Sequence, residues 1–348
     1  MTGTRKAVTL SDVAQLAGVS LSIASKALRG GGRMTPATRQ RVVDAAATLK
    51  FRPNTLAQSF AQGRSLVIGV VVEHSSDLFT MPVVMGVTST LGNLDLAVLV
   101  YDASEGPERR TDVVAKLRAR MVDGILVVGD GTKHPVPSIT GEVDVPVVYA
   151  FCESESARDT SFMPDGFGAG RMVAEHLIGL GRRKIAHITS GNDTSAASRS
   201  AGLVAGLADA GLSLALTSPL VGDWSQAWGM TAAREILRRR EDVDAVFCGN
   251  DQLAVGAQRV FRSEGVRVPE DIAIVGYDNL NRLVESAPLI TTVDPELYRL
   301  GGTAARYLVE SGAEREPGVQ HLPCTLIPGW STQPDGARPA ASFADDAP

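Results

Sequence analysis

Asp165, Arg199, Trp224, Asn250 and Asp278 are the side chains of the second half whose types and placing suggest chemistry. Asn250 and Asp251 follow the apolar run DAVFCG, and Asp278 follows IAIVGY. Arg199 lies in SRSAGL, Trp224 in VGDWS, and Asp165 starts a helical segment. Carboxylates, an amide and a guanidinium together offer paired donors and acceptors to a polyol. Each residue also has a plain structural role open to it: Asn250, Asp251 or Asp165 as a helix cap, Asp278 in a turn, Trp224 in the core. A second group lies near the start, where SLSIASKAL sets Leu21, Ser22, Ser25 and Lys26 on one side of a helix.

Groupings that perform catalysis are missing. No GxGxxG, phosphate-binding Walker loop or GxSxG run occurs. The histidines are scattered: His74 and His134 in loop-like contexts, His176 on a helix, His187 and His321 in strands. Cys152, Cys248 and Cys324 are odd in number, far apart and in apolar surroundings, as expected of buried reduced thiols. No Cys/His spacing suits a metal. The expectation is no enzyme, no metal and no cofactor.

The 348 residues allow two or three domains, and 44% apolar residues allow ordinary globular cores. No apolar run is long enough to span a membrane, and MTGTRKAVTLSD has no apolar signal region, so a cytoplasmic protein is expected. The net charge of −5 hides an asymmetry. Residues 1–64 carry ten Lys/Arg against two acids, a balance of +8, and the remainder carries 24 against 37, or −13. A basic block on an acidic body suggests an anionic partner for the block alone, with nucleic acid the usual candidate.

Three helices must position that block. Thr9 and Asp12 form a capping-box-like pair ahead of Val13, Leu16 and Ala17, and Gly18 provides the left-handed stop. Ser20 caps the second helix, whose inner face reads as Ile23, Ala24, Ala27 and Leu28. Thr35-Pro36 opens the third, with Val42, Val43, Ala46 and Leu49 apolar. Two short helices about a glycine turn, closed by a third, are a helix-turn-helix arrangement. The linker RPNTLAQSFAQGRS then places Leu56 and Phe60 on one face of a nine-residue helix, which is too short to persist alone in water.

From Leu66 the pattern alternates. Strands are expected at 66–72, 96–101, 124–128, 145–150, 184–189, 214–221, 244–249 and 272–277. Helices are expected near 80–92, 107–120, 167–180, 196–210, 225–240, 250–264 and 296–311. Two successive series of βα units argue for two doubly wound subdomains with ligands at the carboxyl ends of the strands.

These stretches resemble one family throughout. VTLSDVAQLAGVSLSIASKAL, TPATRQRVVDAAATLKFRPNTLAQSFAQGRSLVIGVVV, GRRKIAHI, SRSAGL, GNDQLAVGA and VPEDIAIVGYDNL look like the lactose-repressor (LacI/GalR) family, in its order, to about residue 332. The resemblance implies an α/β fold: a helix-turn-helix headpiece (1–52), a hinge helix (53–65) and a two-lobed periplasmic-binding-protein-like core (66–332). The N-lobe would comprise about 66–162 and 294–322, the C-lobe about 165–290 and 323–332, with crossings near 162–165, 290–294 and 322–325. A tail at 333–348 is expected to be disordered.

The resemblance also implies function. The protein would be a homodimeric repressor that binds pseudo-palindromic operator DNA under control of a small effector, with a sugar favoured. No heptad tail follows residue 332, which favours a dimer over a larger assembly. Family base-reading positions fall on Leu21, Ser22 and Lys26, with Ser25 and Arg29 beside them; Ile23 stands for a usual threonine and Arg29 for a usual asparagine. In the hinge, Phe60 takes the position of a leucine that wedges between base pairs, and small Ala57 permits close helix approach. In the core, Arg199, Asn250 and Asp278 take hydroxyl-binding positions and Trp224 a ring-stacking one, with Asp165 either cap or ligand. Asp77-Leu78-Phe79 and Phe151 depart from the family and make one wall less polar, which leaves a nucleoside, an aromatic metabolite or no effector as alternatives to a sugar. The alternative reading is a cytoplasmic solute-binding protein without DNA-linked switching.

Overall fold

The computed structural model describes residues 8–28, 31, 33–51, 64–73, 78–104, 106–131, 135–191, 194–239, 242–280, 290–311 and 316–333. Arg29, Ala57, Phe60, Asp77, His74 and His134 lie outside them, as do nearly all of the hinge segment and the tail beyond Gln333. The chain divides into two compact units, Met1–Ser65 and Leu66–Pro348.

In the first unit, α1 (Leu10–Ala17), α2 (Leu21–Leu28) and α3 (Pro36–Thr48) start where their caps dictate. Thr9 and Asp12 cap each other reciprocally, with Thr9 N donating to Asp12 Oδ2 at 2.8 Å. Gly18 ends α1 at φ 65°, a left-handed conformation that glycine adopts without a side-chain clash. Ser20 Oγ accepts from Ile23 N at 3.3 Å, and Thr35 Oγ1 accepts from Thr38 N at 3.2 Å. Arg39 closes the other end of α2 by donating to the Ala27 carbonyl at 3.0 Å.

The expected helix faces need correction. Among the described residues of this unit, Val13, Ala14, Ala17, Ala24, Ala27, Val42, Ala45 and Ala46 are buried. Leu16, Ile23 and Val43, expected to face inward, are 54%, 39% and 42% exposed. Six of the eight buried side chains are alanine, so the interior consists mostly of small groups. Such an interior gives little apolar burial, and the larger side chains stand at its margin.

In the second unit, β1 (Val67–Val72), β2 (Ala97–Asp102), β3 (Gly124–Val128), β4 (Val147–Ala150), β5 (Thr160–Pro164) and β11 (Gly318–Leu322) form a parallel sheet in the order β11-β5-β4-β3-β1-β2. A second parallel sheet has the order β7-β6-β8-β9, from β6 (Ile185–Ser190), β7 (Leu220–Gly222), β8 (Ala245–Cys248) and β9 (Ala273–Val275). β10 (Thr292–Asp294), which follows β9, and β12 (Thr325–Ile327), which follows β11, form an antiparallel pair.

Strand residues alternate between cores on opposite faces. Val70, Leu126 and Val148 pack with α4 (Thr80–Asn93) and α10 (Leu297–Glu310), and Val71, Ile125 and Tyr149 with α5 (Pro107–Ala119). Similarly, Ile188 and Val246 pack with α8 (Gln226–Arg239) and α9 (Asp251–Ser263), and Ile185 and Phe247 with α6 (Gly166–Gly179) and α7 (Thr194–Asp209). Burial on both faces is why these strands read as unbroken apolar runs.

The expected strand at 214–221 is a second correction: only Leu220–Gly222 is strand. Pro219 has no amide to join a ladder, and Leu216 is buried as a core plug instead. Strands β5, β10 and β12 are not among the expected ones, and of β11 only the strand setting of His321 is. β11 is an edge strand with half-exposed residues, and β10 has three residues, so neither produces a periodic signal.

Helices α6 and α7 approach unusually closely. A Cβ on Gly202 would lie 2.0 Å from the Phe167 carbonyl oxygen, and one on Gly170 would lie 2.1 Å from that of Arg199. Helix propensity alone favours alanine over glycine by about 1 kcal/mol. Here the backbone contact outweighs it, so Gly202→Ala is expected to destabilise the protein by about 1–3 kcal/mol. Chemical denaturation measures this, and a gain in stability would contradict the contact.

Asp251 is a buried carboxyl at the start of α9, 3% exposed. Its Oδ2 accepts from Leu280 N at 2.7 Å, and its Oδ1 has no hydrogen-bond partner among the described residues. Burial pushes this carboxyl up to about 7, against the hydrogen bonds it accepts, and Asp294 adds repulsion. The folded chain therefore holds a proton between pH ~4 and ~7 that the unfolded chain releases, and stability falls as pH rises through that window. His187, buried between Phe247 O and Ser200 Oγ, is lowered to about 4 by burial and has the opposite slope below pH ~6.5. Comparison with Asp251→Asn isolates the carboxyl. The wild-type denaturation midpoint should fall relative to the variant between pH 5 and pH 8, and parallel profiles would contradict the assignment.

Candidate functional site

A cleft of about 460 Å³ opens where the carboxyl ends of both sheets come together. One wall comes from the six-stranded sheet. Asp130 follows β3, Phe151 and Glu153 follow β4, Met163 and Pro164 end β5, and His321 lies on β11. Phe79, just before α4, completes the apolar part of this wall. The facing wall comes from the four-stranded sheet. Ser190 ends β6, Ser198 and Arg199 project from α7, Asn250 follows β8, and Tyr277 and Asp278 follow β9.

Arg199 dominates the second wall. It is 6% exposed, and its guanidinium lies 4.2 Å from the Tyr277 ring centroid and 5.2 Å from that of Trp224. Its Nε has no hydrogen-bond partner among the described residues. The two rings restrict the planar cation through cation–π attraction and leave it a donor to satisfy. Tyr277 is buried, and burial raises its phenol well above the ordinary value, so it faces Arg199 as a neutral ring.

Neighbouring groups are fixed by the fold. Asn250 caps α9, with Oδ1 accepting from Leu253 N at 2.8 Å, and its Nδ2 donates to the Trp224 carbonyl at 3.3 Å. Capping and lining the cleft are thus compatible roles for one amide. Asp278 has φ 100° and is followed by Asn279 at φ 53°. A non-glycine residue in that region carries backbone strain of about 1–3 kcal/mol, which collects at binding sites and switches. On the other wall, Phe151 has φ 57° and its ring covers Gly131, where a Cβ would lie 2.3 Å from it.

Of the five residues singled out from the sequence, the fold brings Arg199, Trp224, Asn250 and Asp278 to the cleft. Asp165 is elsewhere in role. It caps α6, with Oδ1 accepting from Gly168 N at 2.8 Å, and it is not among the lining residues. Sequence reasoning missed Asp130, Glu153 and Tyr277. The rule that found Asn250 and Asp278 could have found them, because each lies just past the carboxyl end of a strand. With Asp130, Glu153 and Asp278 against Arg199, the lining carries more acid than base.

In the first unit, α2 presents Leu21, Ser22 and Lys26 exposed and Ser25 half-buried. Lys26, Arg33, Arg41 and Lys50 are exposed cations of this unit, whereas Arg39 is engaged at the end of α2. A helix with small polar side chains, held by caps at both ends and accompanied by cations, can enter a major groove and approach phosphates. No helix among the described residues is long and apolar enough to cross a membrane.

Residues 9–54 match the family described as bacterial regulatory proteins, lacI family, and residues 174–332 match a periplasmic binding protein-like domain. The transcriptional regulator CelR of Thermobifida fusca is 33% identical over 323 residues, covering 90% of this chain and 95% of CelR. The repressor PurR of Vibrio atlanticus is 29% identical over 87% of this chain and 91% of its own length. Among solved structures, a lac repressor dimer bound to operator and the anti-inducer ONPF is similar with TM-score 0.69, 28% identity and coverage of 94% of this chain and 99% of that one. A CelR–cellobiose complex is similar with TM-score 0.61, 29% identity and coverage of 93% and 99%. These relatives are regulators rather than enzymes. The chain belongs to the lacI family of bacterial regulatory proteins and is a transcriptional regulator.

Proposed function

We propose that the protein is a homodimeric repressor whose hold on a pseudo-palindromic operator is controlled by a neutral, hydroxylated effector in the cleft. The headpiece is taken as 1–52, the hinge as 53–65 and the sensor as 66–332, with a tail from 333. Leu21, Ser22, Ser25, Lys26 and Arg29 read or approach the half-site, and Ala57 and Phe60 act in the minor groove. The protein itself has no catalytic role and works in the cytoplasm.

The observation that carries the effector reading is Arg199, buried between two aromatic rings with an unsatisfied Nε in a cleft rich in acids. Acids, an amide and a guanidinium pair with hydroxyls, and Trp224 and Phe79 offer apolar surface to a ring. Three carboxylates against one guanidinium disfavour a phosphorylated ligand. A sugar of up to disaccharide size suits this combination, and cellobiose is a reasonable first probe because a CelR structure holds it. Asp130, Glu153, Arg199, Trp224, Asn250 and Asp278 are the proposed contacts, with Asp165 a positioning residue that holds α6.

The linker supplies the coupling. Nine residues cannot sustain a helix alone, so its order depends on a twin and on the duplex. A sensor that changes the separation of its lobes can permit or forbid that pairing. An exposed stripe on the sensor, Met81 and Met85 on α4 with Tyr298 on α10, is a surface that a second copy could cover.

Gel shift with a duplex selected from a random pool, with and without neutral sugars, sugar phosphates and nucleosides, tests the whole reading. A specific complex that responds to a neutral sugar is expected, and the absence of any specific complex at low salt would refute it. Phe60→Ala should weaken specific binding far more than nonspecific binding, because only the specific complex gains from the wedge. Equal loss of both would exclude that role. Arg199→Lys should lower effector affinity tenfold or more, about 1.4 kcal/mol or more, as seen by thermal shift, and leave DNA binding without effector unchanged. Undiminished affinity would remove Arg199 from the contact set.

A further inference from the structure

The exposed side of α2 is more apolar than its sequence led us to expect, since Leu21 is 54% and Ile23 is 39% exposed. At about 100° per residue, Ser22 and Lys26 lie roughly 40° apart at the middle of that side. Leu21 and Ile23 then flank Ser22 at about 100° on either hand. Ala24 and Ala27 take the buried side, and the Ser20 cap fixes where the helix begins, at Leu21. The helix thus offers a narrow polar midline between two aliphatic shoulders, both in its first turn.

We propose that Ile23, together with Leu21, determines specificity by packing on thymine 5-methyl groups in each half-site. The inference rests on the reading of α2 as the base-reading helix. Polar readout on this side is meagre. Ser22 has one hydroxyl, and Lys26 is a point charge without the rigid fork that pairs with guanine. Ile23 can neither bond a phosphate nor accept from a base. The apolar group that the major groove displays is the thymine methyl, and an aliphatic shoulder in the first turn of a groove-entering helix suits it. Duplex DNA is the occupant that the charge selects, since residues 1–64 carry ten basic residues against two acidic ones.

The test uses the full-length protein. Sites are selected from a random duplex pool, and each thymine of the best site is replaced singly by deoxyuridine, which removes only the methyl. Binding by fluorescence anisotropy should weaken about fourfold at one or more thymines, the factor expected for one buried methyl-sized group. That penalty should vanish at one position in Ile23→Ala and at another in Leu21→Ala. Ile23→Thr, as a second variant at an exposed position, should shift the selected base there. Circular dichroism verifies that each variant is folded. Selected sites whose affinity ignores uracil, or a penalty that persists in Ile23→Ala, would overturn the proposal and leave α2 as the reading helix. A pool that yields no preferred site would overturn both readings.

Discussion

The structure depends on one constraint: a parallel strand must be covered on both faces. Each sheet of the second unit meets it with helices on each side, which bury residues such as Val70 and Val71 on opposite faces of one strand. Covered faces leave the strand ends as the places where polar side chains can gather. Two such sheets in one chain, with their carboxyl ends toward each other, make the cleft. Asp130, Glu153, Asn250 and Asp278 all lie just past strand ends for this reason.

Close helix packing carries the constraint further. Glycines at 170 and 202 let α6 and α7 touch backbone to backbone, and Arg199 lies on the contact. Comparable pairs join α4 with α10 (Gly86, Gly301) and α8 with α9 (Gly229, Gly256). A guanidinium presented from such a helix has little freedom, and the Tyr277 and Trp224 rings reduce it again. Preorganised donors bind more tightly than mobile ones because less entropy is lost on association. The first unit follows the opposite logic. Its alanine-rich interior gives little stability, and its larger side chains stand outward, where a partner can cover them.

Much of this was legible beforehand. Caps at Thr9, Ser20 and Thr35 located the three short helices, because a polar side chain before an apolar period has few other uses. The long helices of the second unit fell within about two residues of their expected ends, since amphipathic periods of this length are hard to mistake. The faces of the short helices were less legible. Leu16, Ile23 and Val43 fit an inward pattern on paper, yet three helices with alanine between them leave no interior space for those side chains.

The sequence by itself determined the order of the helices and of the buried strands, the charge division between the two units and the family, because these are properties of local pattern and composition. Tertiary structure decided what meets across distance. Arg199 between Tyr277 and Trp224, Asp130 and Glu153 on the opposite wall, and the burial of Asp251 beside Asp294 join residues far apart in the chain. No local pattern encodes such meetings, because they depend on how two sheets and their helices close on one another. The same holds for the strand that β7 failed to extend, where Pro219 and the space available to Leu216 overruled an apolar run.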